Sequence, residues 1–140
     1  MLFRSAILFF GIFATMMPAL DWLEANAGSL GLATPGSFYW ASGTLSSFLD
    51  NAPTYLVFFN LAGGDAQSLM TTGATTLAAI SAGAVFMGAN SYIGNAPNFM
   101  VKAIAESRGV KMPSFFAYLG WALVILVPVF LLTSWIFFPA

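Results

Sequence analysis

The chain has 140 residues, of which 59% are apolar and only 6% charged, against about 25% charged in a soluble globular domain. Four basic and five acidic side chains cannot cover a water-facing surface, so the chain belongs in a lipid bilayer. A net charge of -1 points to no nucleic acid or other polyanion, and the lack of cysteine and histidine excludes disulfides, thiolate chemistry and the commonest zinc ligands.

Taken in chain order, the apolar run Ser5 to Leu20 behind Arg4 predicts a spanning helix over 4–20, with Pro18 in its last turn. The same stretch, ending in Ala25-Asn26-Ala27, also has the outline of a signal peptide. Its length and the acidic Asp21 and Glu24 favour the span, and both readings put residue 28 outside. A Gly/Pro/Ser-rich connection over 27–37 follows. Residues 38–62 form two apolar limbs, Phe38 to Leu49 and Tyr55 to Ala62, separated by Asp50-Asn51-Ala52-Pro53-Thr54. Each limb is too short to cross, since a dozen helical residues reach ~18 Å against a hydrocarbon core of about 30 Å. Gly63-Gly64-Asp65 reads as a turn. Ala74 to Ala89, rich in small residues, predicts a closely packed helix. It breaks over Asn90 to Asn98 and resumes to Ala105, giving a discontinuous helix over 74–105. A polar loop over 102–113 precedes a long span over 114–138, with Trp121 and Trp135 as interfacial anchors. The cluster Phe38-Tyr39-Trp40 reads as an interfacial belt. Gly43, Ser46, Ser47, Gly83 and Gly88 read as close-packing positions rather than ligands.

Lys102, Arg108 and Lys111 share the 102–113 loop, which places it, like Arg4, in the cytoplasm. If 38–62 crossed once, the basic loop would be forced outside. If it enters and returns as a re-entrant hairpin, both basic positions are cytoplasmic and the C-terminus is outside.

The two interruptions resemble each other. Asn51-Ala-Pro-Thr-Tyr-Leu-Val57 is echoed by Asn95-Ala-Pro-Asn-Phe-Met-Val101, 44 positions later. Irregular backbone at membrane depth is tolerated only where it is buried in protein or lines a watery cavity, and broken helices there present dipoles and unwound carbonyls to ions and substrates. Each Asn-Ala-Pro also suits an ordinary helix N-terminus, with Asn as cap and Pro in the first turn. Asp50 sharpens the first break, because a carboxylate near the bilayer centre costs about 2.5–3.5 kcal/mol and usually marks an ion or proton pathway.

The runs SGTLSSFLDNAPTYLVFFNLAGG and AAISAGAVFMGANSYIGNAPNFMVKAIAESRGVKMPSF resemble the ion transporter superfamily, which includes citrate and dicarboxylate carriers, arsenite/antimonite efflux pumps and D-type sodium/proton antiporters. The resemblance implies an all-α membrane protein of spanning helices, a re-entrant helical hairpin and a discontinuous helix, forming part of one inverted-repeat half. Carried over by motif, the hairpin tip is Asp50, Asn51, Pro53 and Thr54, and the discontinuous helix breaks at Gly88, Asn90, Gly94, Asn95, Pro97 and Asn98. Asp50 stands where the carboxylate carriers have Ser, which leans toward cation/proton exchange.

The resulting expectation is the C-terminal part of a secondary active transporter, a sodium/proton antiporter in which Asp50, Asn51, Thr54, Asn90, Asn95 and Asn98 form half of a cation site. The alternative is a citrate, dicarboxylate or arsenite-type anion transporter, and a further one is a small membrane subunit that transports nothing. With no nucleophile–base pair, no enzyme is expected, nor any cofactor or bound metal beyond a sodium ion or proton as coupling ion. The expected partners are the lipid bilayer, a small inorganic cation or carboxylate anion, a missing N-terminal half and a second copy as homodimer. The expected location is the bacterial inner membrane.

Overall fold

A computed structural model describes residues 29–139 and, before them, residues 10, 11, 14, 17, 18, 21, 22, 25 and 26. The chain divides into two units, 1–32 and 33–140. In the first unit the described residues from Phe10 to Ala25 are helical, Asp21, Trp22 and Ala25 among them, beyond the expected end of the helix at residue 20. Most of the predicted 4–20 span, and of the competing signal-peptide reading, lies outside the described residues.

The second unit is all-helical among the described residues: α1 (Pro35–Ser46), α2 (Asn51–Leu61), α3 (Ala66–Thr71), α4 (Ala74–Met87), a 3-10 turn (Gly88–Asn90), α5 (Ala96–Ser107) and α6 (Phe115–Phe137). Local chemistry explains the boundaries. Thr34 and Ser37 exchange side-chain and backbone hydrogen bonds as a capping box at the start of α1, with Pro35 just inside. Asp65, the last residue of the expected turn, accepts from Ser68 N and starts α3, a short helix. Ser114 caps α6, whose 23 mostly apolar residues make it the one helix among the described residues long and apolar enough to cross a bilayer.

Three expectations need correction. The interruption in 38–62 falls at 47–50, and Asn51, Pro53 and Thr54 are already in the first turn of α2. Likewise the second break covers 88–95, so Pro97 and Asn98 are helical. Proline has no N–H to lose in a first turn, so it opens both helices rather than breaking them. The charged end of 102–113 is also helical to Ser107. Lys102 and Glu106 pair at 2.7 Å one turn apart on α5, and Gly109, at a φ of 81°, terminates the helix.

α1 and α4 run parallel in close contact. Moving along both helices together, Ser42 Oγ lies 3.4 Å from Ile80 O, Ser46 Oγ donates to Ala84 O at 2.5 Å, and Ser47 Oγ lies 3.0 Å from Met87 O. Interhelical hydrogen bonds of this kind contribute about 0.6 kcal/mol each in membrane proteins, and small residues permit the approach. At Gly83 a Cβ would collide with the backbone carbonyl of Tyr39 and with Ser42 Oγ.

α6 runs the opposite way across the pair: Trp40 Nε1 donates to Ser134 Oγ at 3.0 Å, and Tyr118 Oη donates to Ala89 O at 2.9 Å. Tyr39, Ala79, Met87, Phe130 and Phe138 form the core between them. Phe38 and Tyr39 are therefore buried, not part of an interfacial belt. The ring of Tyr39 lies 5.1 Å from that of Phe138, because the end of α6 folds over the start of α1.

Gly83→Ala is expected to destabilise the fold by about 1–3 kcal/mol, since a main-chain carbonyl cannot swing away and the helix-propensity gain of about 1 kcal/mol is outweighed. Gly120→Ala, where nothing lies within 4 Å of the new methyl, should be neutral or mildly stabilising. Thermal unfolding of both variants in detergent micelles checks the pair.

Candidate functional site

Each half of the second unit repeats one pattern: a helix, a non-helical break, then a short helix opened by Asn-Ala-Pro. The two patterns lie side by side because α1 and α4 are parallel, and the breaks meet. Asn51 is the bridge. Its amide is 2.9 Å from Ser46 Oγ, 2.9 Å from Gly94 O and 3.0 Å from Ala84 O. The Ser46 proton is committed to Ala84 O, so all three neighbours present lone pairs and the amide nitrogen faces them.

Gly88 and Gly94 make this approach possible. A Cβ on Gly94 would lie 2.7 Å from Ser46 O and 2.9 Å from Ser47 O, and one on Gly88 would strike the Asn51 amide. Asn98 Nδ2, one turn into α5, donates back to Gly88 O and Ser91 O, each at 3.1 Å.

Two serines join the breaks. Ser91 Oγ donates to Ser47 O at 2.5 Å and accepts from Ile93 N and Gly94 N. Asn90 Nδ2 donates to Ser47 Oγ at 3.0 Å. The sequence reading placed Ser47 only in packing and did not single out Ser91. The signal was present, since the repeat extends upstream as Ser47-x-x-x-Asn51-Ala-Pro and Ser91-x-x-x-Asn95-Ala-Pro.

The expected site residues thus divide. Asn51, Gly94 and Asn98 come together. Asn90 is 5% exposed and faces elsewhere, lining a cavity of about 190 Å³ with Trp40, Thr44, Met87 and Phe130, and its Oδ1 has no hydrogen-bond partner among the described residues. Asp50 stays local: its Oδ1 accepts from Asn51 N at 2.7 Å as the cap of α2. Thr54 is buried and donates to Asp50 O in its own helix. Pro53 and Pro97 shape the first turns. Asn95 occupies the cap position of α5 but places no side-chain hydrogen bond on it.

The chemistry of this junction is mixed. The N-termini of α2 and α5 both open onto it, and such ends attract anions through free N–H groups and the helix dipole. The surround of the Asn51 amide is rich in hydroxyl and carbonyl oxygens, which suit a hard cation. Among the described residues there is no cluster of three His, Cys, Asp or Glu side chains. Asn51 also lines an open, mainly apolar groove of about 480 Å³ with Ala52, Tyr55, Ser81 and Val85.

Comparison with known proteins adds a family. Residues 2–138 match the family CitMHS_2, described as "Putative citrate transport". Neither the curated proteins nor the solved structures include a significant match. With the match covering nearly the whole chain, the chain belongs to this family.

Proposed function

We propose that the protein is part of a secondary active transporter that moves citrate or a closely related carboxylate anion. The observation that carries this reading is the meeting of two helix N-termini at one junction, beside Asn51, Asn98 and the uncommitted side chain of Asn95. Family membership supports the same substrate. Amide donors and the positive ends of two helix dipoles suit a carboxylate, which offers several lone pairs in one plane. On this reading α1 and α2 form a re-entrant hairpin, because neither 12 nor 11 helical residues reach across a bilayer. α4 and α5 are then the two limbs of a discontinuous helix, and the basic connection after α5 faces the cytoplasm.

Asp50 is the discordant residue. Its carboxylate sits at the N-terminus of α2 and would repel an incoming anion, so a proton or metal cation has to accompany the substrate there. A second reading, cation/proton exchange, is supported by Asp50 together with the oxygen-rich surround of Asn51.

Reconstituted transporter in proteoliposomes separates the two. Saturable uptake of labelled citrate is expected, and Asp50→Asn should retain uptake while altering its dependence on cations or pH. Failure to take up citrate, together with sodium-driven proton movement lost in Asp50→Asn, would establish exchange instead.

Asn95 and Asn98 should behave differently. Asn95→Ala is expected to raise the citrate KM by about tenfold, the equivalent of ~1.4 kcal/mol, with stability within about 0.5 kcal/mol of wild type. Asn98→Ala leaves two carbonyls of the break without their donor and should cost about 1–3 kcal/mol of stability. Uptake kinetics and thermal unfolding on the same preparations test both.

Gly109 lies in the exposed connection before α6. A cysteine placed there should react with a membrane-impermeant maleimide only from the cytoplasmic side. Labelling of intact cells would show that the first hairpin crosses the membrane rather than returning.

A further inference from the structure

The break after α4 is held one residue at a time by three different helices. Gly88 O accepts from Asn98 of α5 at 3.1 Å, Ala89 O accepts from the Tyr118 hydroxyl of α6 at 2.9 Å, and Asn90 Nδ2 donates at 3.0 Å to Ser47, at the end of α1. Tyr118 is the member that ties this backbone to the long spanning helix. The tie is reciprocal. Tyr92, within the break and only 4% exposed, sends its hydroxyl the other way, to Pro113 O at 3.1 Å in the connection that leads into α6.

The two rings stack with centroids 4.2 Å apart and planes inclined by 24°. Lys102 Nζ, paired with Glu106, lies 5.5 Å from the Tyr92 centroid and holds the far face of the stack to α5. Phenylalanine would stack as well as tyrosine at either position. What the hydroxyls add is a donor for each of two carbonyls, one of them in backbone that has left the helical ladder and must find a partner inside protein.

We propose that Tyr92 and Tyr118 are positioning residues of the transport site: their reciprocal clasp sets the 88–95 break in register against α6. That register places Gly94 O and Asn98 opposite Asn51. A movement of α6 relative to α4 releases Ala89 O and alters the junction, so the clasp links the last helix to substrate affinity. The inference rests on the reading of this junction as the site for a carboxylate substrate.

The test uses intact transporter in proteoliposomes carrying Tyr118→Phe, which keeps the ring and removes the donor. The citrate KM should rise about fivefold, as expected for one lost hydrogen bond, with maximal rate within about twofold and a modestly lowered thermal midpoint in detergent, since Ala89 O loses its donor. Tyr92→Phe should act in the same direction, and the double variant should lose less than the product of the two because they share one clasp.

A substrate-free arm uses Asn95→Cys as a reporter, since this chain has no cysteine of its own. Maleimide labelling should be faster in the Tyr118→Phe background. An unchanged KM with an unchanged labelling rate overturns the proposal, and so does a fall in maximal rate that follows a lowered thermal midpoint at constant KM. If the wild type moves no citrate, the substrate reading fails on its own and the labelling rate alone decides the clasp.

Discussion

Ser46, the last residue of α1, and Ser47, its cap, place their hydroxyls on the main-chain carbonyls of Ala84 and Met87, across a contact at which Gly83 has no room for a methyl group. Water is absent from a bilayer core, so helices there gain little from burying apolar surface against each other. Close backbone approach and hydrogen bonds supply the attraction instead. The parallel direction of the contact matters as much as its closeness. Two helices that run the same way bring their C-terminal ends together, and both helices break off there, so the irregular segments fall side by side. An antiparallel pairing would have put the breaks at opposite ends, with no common junction.

Once the breaks meet, they satisfy one another. Backbone that leaves a helix in an apolar medium frees donors and acceptors whose exposure costs several kcal/mol each. The carbonyls of Gly88, Ala89 and Gly94 are met by Asn98, Tyr118 and Asn51, and the serines at 47 and 91 link one break to the other. Two side-chain groups stand outside this network. Asn95 sits at a helix cap without capping it, and Asn90 Oδ1 is buried with no partner among the described residues.

The junction carries opposite electrostatic tendencies within a few ångströms. Helix N-termini and amide donors favour an anion, while Asp50 and the surrounding carbonyl oxygens favour a cation. A carrier that binds an anion together with a cation reconciles them, because each charge lowers the cost of bringing the other into a low-dielectric site. Membership of a citrate transport family agrees with the anionic half of that description. The lean toward cation exchange in the sequence came from Asp50 alone, and the structure gives Asp50 a local task, accepting a hydrogen bond from Asn51 N.

Much about this protein was determined by the sequence alone. Its small complement of charges requires a bilayer, the 23-residue apolar helix before the C-terminus follows from its length and composition, and the echo of Asn51-Ala-Pro at Asn95-Ala-Pro marks two related interruptions, since these signals depend only on residue type and spacing along one chain. The tertiary structure decided where those interruptions begin, because proline is compatible with the first turn of a helix and the local pattern cannot tell a cap from a break. It also decided that Tyr39 is core and that Ser91 and Tyr118 serve the break. Those roles arise from contacts between residues far apart in the chain, and they exist only because α1 and α4 pack in parallel with α6 laid across them in the opposite direction. Periodicity along a sequence carries no record of that direction.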